Sequence, residues 1–233
     1  MAPPIPQHAQ AASEAPTEVK VRVVLLAICN GELWVALNGA GPEGHLPGVA
    51  LEQGESLDQA ALRALALDTG GSHRYIEQLY SVSSHELEAP VVTVAYLAIA
   101  DPAEACESGP LGHWVSVNGE LALPEIDRNV LDYALVRLRA KLGYTTIAFH
   151  LLPPRFSLSE LQHVYETVLG QHFDKRNFRR RILSADMLAE TDETRREGSH
   201  RPARLFRFRA AHDAETYLTP AWADAPHREP DEA

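Results

Sequence analysis

Residues 46–71, LPGVALEQGESLDQAALRALALDTGG, join a loop bearing proline and glycine to a capped helix, and strand-like runs flank them on both sides. That order commits the N-terminal half of the chain to an α/β arrangement. If Ser56 caps the helix, positions 64, 67 and 68 lie three and four residues apart on one face. Carboxylates at all three would suit Mg²⁺ or Mn²⁺, hard ions that take several oxygen ligands. The residues present are Ala64, Leu67 and Asp68, with Glu52 and Glu55 in the preceding loop. Asp is one methylene shorter than Glu, so Glu52, Glu55 and Asp68 make at best a weak metal remnant. Fast metal-assisted turnover is not expected.

Charge separates the chain into three parts. Residues 1–149 carry 8 Lys/Arg and 18 Asp/Glu, a net −10, whereas 150–210 carry 12 and 8, a net +4. Residues 211–233 return to net −5, so the overall −11 hides a basic module between acidic ones. A basic module so placed is expected to meet a polyanion. The Ala/Pro-rich stretch 1–17 reads as a disordered tail and 212–233 as an acidic one. No basic stretch followed by an apolar core reads as a signal peptide, and no apolar run is long enough to span a bilayer, so a cytoplasmic protein is expected. Cys29 and Cys106 suggest neither a disulfide framework nor a zinc site, and Cys29 reads as a small buried side chain.

Periodicity places the elements. Val21–Cys29 is a strand, Asn30-Gly31 a hairpin turn, and Leu33–Leu37 its return. Further strands are expected at Tyr75–Val82, Val91–Ile99 and Leu111–Val117. Val130, Ala134 or Leu135, Leu138 and Leu142 mark a helix over 127–142 that bridges two domains, 18–143 and 144–211. In the second domain, Ser157 and Glu160 form a capping box, with Phe156 and Leu161 as a hydrophobic staple, and the helix stops at Gly170. Asp174 caps another helix, 175–186, in which Phe178, Ile182 and Leu183 face inward and Lys175, Arg176, Arg179 and Arg180 cluster outward. A strand at 188–191, a polar loop DETRREGSHR and a strand ARLFRFR follow as a hairpin. Three helices and a hairpin in this order read as a winged helix-turn-helix, with 175–186 as the recognition helix.

Two resemblances sharpen this reading. Glu55, Arg63, Leu65 and Gly70 fall in register with the Nudix box, the frame of enzymes that cleave nucleoside diphosphates linked to another group, while its first glycine is Val49 and three helix glutamates are Ala64, Leu67 and Asp68. Residues 20–209 resemble the Nudix-related transcriptional regulators of NAD metabolism, through RLRAKLGYTTIAFHLLPPRFSLSELQHVYE, DKRNFRRRIL and GSHRPARLFRF. NGAGPEGHLPG departs from active Nudix proteins in lacking a basic residue after the second strand, and IDRN at 126–129 departs from the FDH-type sequence of many regulators.

The resemblance implies an α/β (α+β) Nudix-like sandwich followed by a winged helix-turn-helix. It implies a homodimeric repressor of NAD biosynthesis or salvage genes on a palindromic operator in double-stranded DNA. Lys175, Arg176, Asn177, Arg179 and Arg180 of the recognition helix, and Arg195, Arg196, Ser199, His200 and Arg201 of the wing, are the expected DNA contacts. ADP-ribose or a related nucleotide is the expected effector, met by Leu46, Pro47, Gly48, Glu52 and Glu55. No catalytic residue and no required cofactor are expected. Mg²⁺ enters only under the alternative, a weakly active metal-dependent hydrolase of ADP-ribose-like compounds.

Overall fold

The computed structural model describes residues 17–39, 44–70, 73–86, 89–101, 113–196 and 202–209. Strands β1 (Glu18–Cys29), β2 (Glu32–Leu37), β3 (Gly48–Ala50), β4 (Tyr75–Glu86), β5 (Ala89–Ile99) and β6 (His113–Ser116) form one six-stranded sheet in the order β4-β5-β1-β2-β6, with β3 paired to β1. β1 and β5 run parallel, and the other pairs are antiparallel. Asn30 and Gly31 both have positive φ, 51° and 85°, as a two-residue turn matched to strand twist requires.

β1 shows why the sheet needs cover on both faces. Val21, Val23, Leu25 and Ala27 belong to an apolar cluster that also holds Ala60, Ala61, Ala64 and Leu65 of α1 (Leu57–Thr69). Val24 and Leu26 point the other way, into a second cluster with Val130, Leu131, Ala134 and Leu138 of α2 (Glu125–Leu142). Helix α1 begins at Ser56, whose side chain accepts from Gln59 N in a full capping box, and ends at Gly70 with φ 81°. The second cluster does not stop at the sheet. It runs on through Leu142, Ile147, Leu151, Phe156, Leu161, Val164, Phe178 and Phe206, so the sheet and the C-terminal helices share apolar packing around α2.

The C-terminal part holds a short 3-10 turn (Ile147–Leu151), α3 (Leu158–Leu169), α4 (Lys175–Ser184) and the hairpin β7 (Leu188–Arg195) and β8 (Ala203–Phe208). Ser157 and Glu160 make the expected capping box, and Gly170 ends α3 with φ 67°. Buried Gln162 fixes the turn between α3 and α4, donating from Nε2 to Glu166 and to the Phe173 carbonyl. Glu166 also accepts from Phe173 N, which holds its carboxyl below the usual carboxylate range. Phe156 exchanges two backbone hydrogen bonds with Phe206, which ties the wing to the residue before α3.

Several sequence expectations need correction. Leu183 is 48% exposed, because α4 buries only Phe178 and Ile182 on its single contact stripe. β7 extends to Arg195, so the strand takes in 192–195, the first four residues of the stretch read as loop. Ala64 is fully buried under the sheet while Leu67 is 62% exposed, so positions 64, 67 and 68 do not share an open face. Cys29 is buried, as expected, but is disulfide-bonded, which the sequence did not suggest; Cys106 lies outside the described residues. Of the tails expected at 1–17 and 212–233, all but Thr17 also lie outside them.

A polar knot holds β4, α2 and the 3-10 turn together. Lys141 donates to Tyr75 OH at 2.6 Å and pairs with Glu77, and the Tyr75 ring meets the His150 ring at 5.2 Å. Arg74 binds Asp101 and the Leu152 carbonyl. Burial, with the Arg74 charge beside it, pushes the His150 imidazole below its ordinary 6.5. A depressed folded-state value means that the folded protein binds fewer protons, so this contribution is complete above about pH 6.5 and is lost as pH falls through the folded value. Urea titrations should show stability falling with acidification below pH 6.5, and His150→Asn should flatten that part of the profile. An unchanged slope in the variant would remove His150 as its source.

Candidate nucleic-acid interface and nucleotide cleft

α4 owes its direction to Asp174, whose carboxylate accepts from Asn177 N at 2.8 Å. With Phe178 and Ile182 inward, Lys175, Arg176, Asn177 and Arg180 are exposed. Arg180 donates to the Asn177 side chain at 3.3 Å, which shapes the stripe without neutralising it. Arg181, left out of the sequence reading because it follows the apparent stripe, is exposed as well. Arg179 differs from its neighbours: it is partly buried, donates from Nη2 to Ser159 Oγ at 3.2 Å, and its buried Nε has no partner.

Between α3, α4 and the wing lies a cleft of about 640 Å³, lined by Ser157, Ser159, Lys175, Arg179, Arg195 and Phe206 among others. Two hydroxyls and three cations around one concavity suit an anion. Ser159 is the contributor that sequence reasoning missed; it stands at the second position of a capped helix, 20 residues from the arginine it meets, and that spacing gave no signal.

The wing arginines divide. Arg195 donates to Glu160 Oε1 at 2.7 Å and to the Arg155 carbonyl at 3.1 Å, so it braces the wing against the capping residue of α3. Arg196 is exposed at the end of β7. Ser199, His200 and Arg201 lie outside the described residues. Arg204 pairs with Glu190 across the hairpin.

At the other end, the box loop is stapled from three sides. Leu46 and Pro47 are buried; Leu46 N donates to Asp127 at 3.1 Å, and the Pro47 carbonyl accepts from Val23 N at 2.8 Å. Gly48 N donates to Asp68 at 3.2 Å, and Asn38 donates to the same carboxylate at 3.0 Å. Glu55 takes two hydrogen bonds from Arg63, at 2.8 and 2.7 Å, and Glu52 lies 3.3 Å from the same guanidinium. The weak metal remnant at Glu52, Glu55 and Asp68 is therefore not assembled: two of its acids face one arginine and the third faces loop amides. Among the described residues, no group of three or more His, Cys, Asp or Glu is arranged to hold a metal.

Residues 148–208 match the model of the NrtR DNA-binding winged helix domain. The ADPR responsive transcriptional repressor NtrR of Acinetobacter baylyi is 35% identical over 172 residues, which cover 70% of this chain and 68% of that protein. The chain belongs to the NrtR family. The crystal structure of Shewanella oneidensis NrtR complexed with a 27mer DNA superposes with a TM-score of 0.71 at 32% identity, over 82% of this chain and 93% of that one. A MutT/nudix family protein from Enterococcus faecalis shares the fold, with a TM-score of 0.62 at 20% identity over 86% and 89% of the two chains. The chain is thus a DNA-binding transcriptional regulator, a Nudix-like α/β sandwich followed by a winged helix-turn-helix, in a family of regulators rather than of active hydrolases.

The Arg63 clasp sets a titration that can be measured. The hydrogen bonds from Arg63 hold the Glu55 carboxyl down at about 2, from an ordinary 4.5. A depressed carboxylate stabilises the fold above pH 4.5 and loses that contribution as pH falls towards 2. In Arg63→Ala, NMR titration should return Glu55 to near 4.5. A midpoint still near 2 would assign the shift to the Glu52 backbone amide instead.

Proposed function

We propose that this NrtR-family chain represses NAD biosynthesis or salvage genes as a cytoplasmic homodimer on a palindromic operator, under the control of ADP-ribose or a related nucleotide that the Nudix-like domain binds without cleaving. The observation that carries the DNA half is the exposed run Lys175, Arg176, Asn177, Arg180 and Arg181 on a capped helix beside the cationic cleft. Phosphates of one strand sit at the cleft against Lys175, Arg179 and Ser159, and Arg176, Asn177 and Arg180 face base edges in the major groove. Arg196 and the wing tip 199–201 take the flanking backbone. One ten-residue helix reads only a few base pairs, so selectivity in a genome needs two half-sites about 34–36 Å apart.

The effector half rests on the retained loop and on the relative described as responsive to ADPR. Binding a nucleoside diphosphate needs a shaped loop and donors, whereas cleavage also needs metal-held charge and an activated water. Ala64 and Leu67 supply neither carboxylate, and Glu52 and Glu55 are held by Arg63.

DNA-binding titrations at several salt concentrations test the first half. Arg179→Ala should weaken binding to all sequences alike and reduce the salt slope by about 1, whereas Arg180→Ala should lose on the order of 1–3 kcal/mol of discrimination against a mismatched operator. Normal operator binding by the Lys175/Arg176/Arg179/Arg180 quadruple alanine variant would overturn the assignment. Calorimetry should show saturable ADP-ribose binding without added metal, and chromatography should recover the nucleotide intact after long incubation with Mg²⁺. Release of AMP would favour the hydrolase.

A further inference from the structure

We propose that Arg22 is the cation that receives the effector's diphosphate, with buried Asp127 as its positioning residue; this rests on the nucleotide-sensing reading above. The sequence between β2 and β3 has no lysine or arginine to meet a diphosphate, yet the fold supplies an arginine from another strand.

Arg22 sits on the face of β1 where the charged pair Glu18 and Lys20 gives way to buried Val24 and Leu26. It is tolerated there because Asp127, in the first turn of α2 and completely buried, accepts from Arg22 Nε at 3.1 Å. The same carboxylate accepts from Leu46 N at 3.1 Å and lies 3.3 Å from His45 Nδ1. One buried charge thereby fixes an arginine, a histidine and the backbone of the box loop relative to each other.

Gly48 shows how closely the guanidinium lies against that loop. A Cβ there would run into Arg22 Nη1, lie 2.8 Å from Arg22 Cδ and 2.6 Å from the Val21 carbonyl oxygen. Among the described residues Asp127 engages Nε, and the Nη side of the fork is the part that meets the loop. A guanidinium held this way keeps planar paired N–H donors for a phosphate and loses little freedom when it binds one. The Arg22 side chain is 22% exposed and His45 65% exposed, so the pair opens to solvent while its counter-charge does not.

Two other cations of this end, among the described residues, are engaged. Arg63 is held by Glu52, Glu55 and the Ala50 carbonyl, and Lys20 lies 3.3 Å from Glu18. Among the described residues Arg22 has one carboxylate partner, and that partner also serves the loop.

The test is calorimetry of the full-length protein with ADP-ribose, for wild type, Arg22→Gln and Arg22→Lys, at several salt concentrations. Arg22→Gln keeps a hydrogen-bond donor for Asp127 and should weaken ADP-ribose by tenfold or more, with a flatter dependence of affinity on salt. Circular dichroism and thermal melting establish that each variant is folded. Arg22→Lys keeps the charge but not the fork and should fall between, which also decides the matter if Arg22→Gln does not fold. ADP-ribose affinity and salt slope unchanged in a folded variant would overturn the Arg22 assignment alone. A wild-type protein that binds no ADP-ribose would overturn the effector reading beneath it.

Discussion

The burial of α2 is the constraint on which the rest of the structure depends. Val130, Ala134, Leu138 and Leu142 are completely buried, and they lie in one apolar cluster with β1, β5, the 3-10 turn, α3 and α4. A helix buried along most of its length cannot belong to the sheet alone, because its inward stripe serves the sheet near one end and the helix-turn-helix near the other. Apolar burial is non-directional, so it fixes that these parts stay together without fixing their register. Register comes from the polar contacts at the two ends: Asp127 with Arg22 and Leu46 N in the first turn, and Arg139 with the Val168 carbonyl and Lys141 with Glu77 in the last.

Charge in this protein is sorted by whether it has a partner. Arg63, Arg74, Arg195 and Arg204 each face a carboxylate and hold loops, strands or caps. The exposed pairs among them contribute little stability, on the order of 0–1 kcal/mol, so their value is positional. α4 is the opposite case. Its first turn has no acidic residue, and it carries five cations within seven positions. Such a concentration of like charge costs free energy in the unbound protein and is relieved when a polyanion neutralises it.

Much of this was legible in the sequence because the decisive signals were local. Ser56, Ser157 and Asp174 cap the helices they were expected to cap, Gly70 and Gly170 end theirs with positive φ, and Asn30-Gly31 turns the first hairpin. Each signal lies within four residues of its effect. What stayed hidden depends on pairs far apart in the chain. The Arg22–Asp127 contact spans 105 positions, and Arg195 meets Glu160 across 35, so neither spacing carries a pattern. Leu183 misled because an apolar residue beside Ile182 fits a wider stripe than a ten-residue helix buries. The partners of the box acids stayed hidden for a related reason. Glu52, Glu55 and Asp68 are near each other in sequence, but the Arg63 guanidinium and the loop amides compete for their oxygens.

Regulation sets a condition that this arrangement can satisfy. A ligand shifts DNA affinity only by the difference in its contacts between two states, and the same coupling must act in reverse. Those contacts therefore have to involve a group whose geometry also matters at the DNA-binding end. Asp127 is such a group, since it joins the box loop to α2, and α2 reaches α3 through Arg139. α3 in turn touches the sheet directly, where Thr167 donates to the Gly31 carbonyl at 3.1 Å and His163 fills the space a side chain at Gly31 would need. Two independent struts between the same bodies resist a simple hinge. A nucleotide that acts through them has to shift α2 and the β1–β2 turn together, which makes the response a choice between discrete packings of one core rather than a gradual bend.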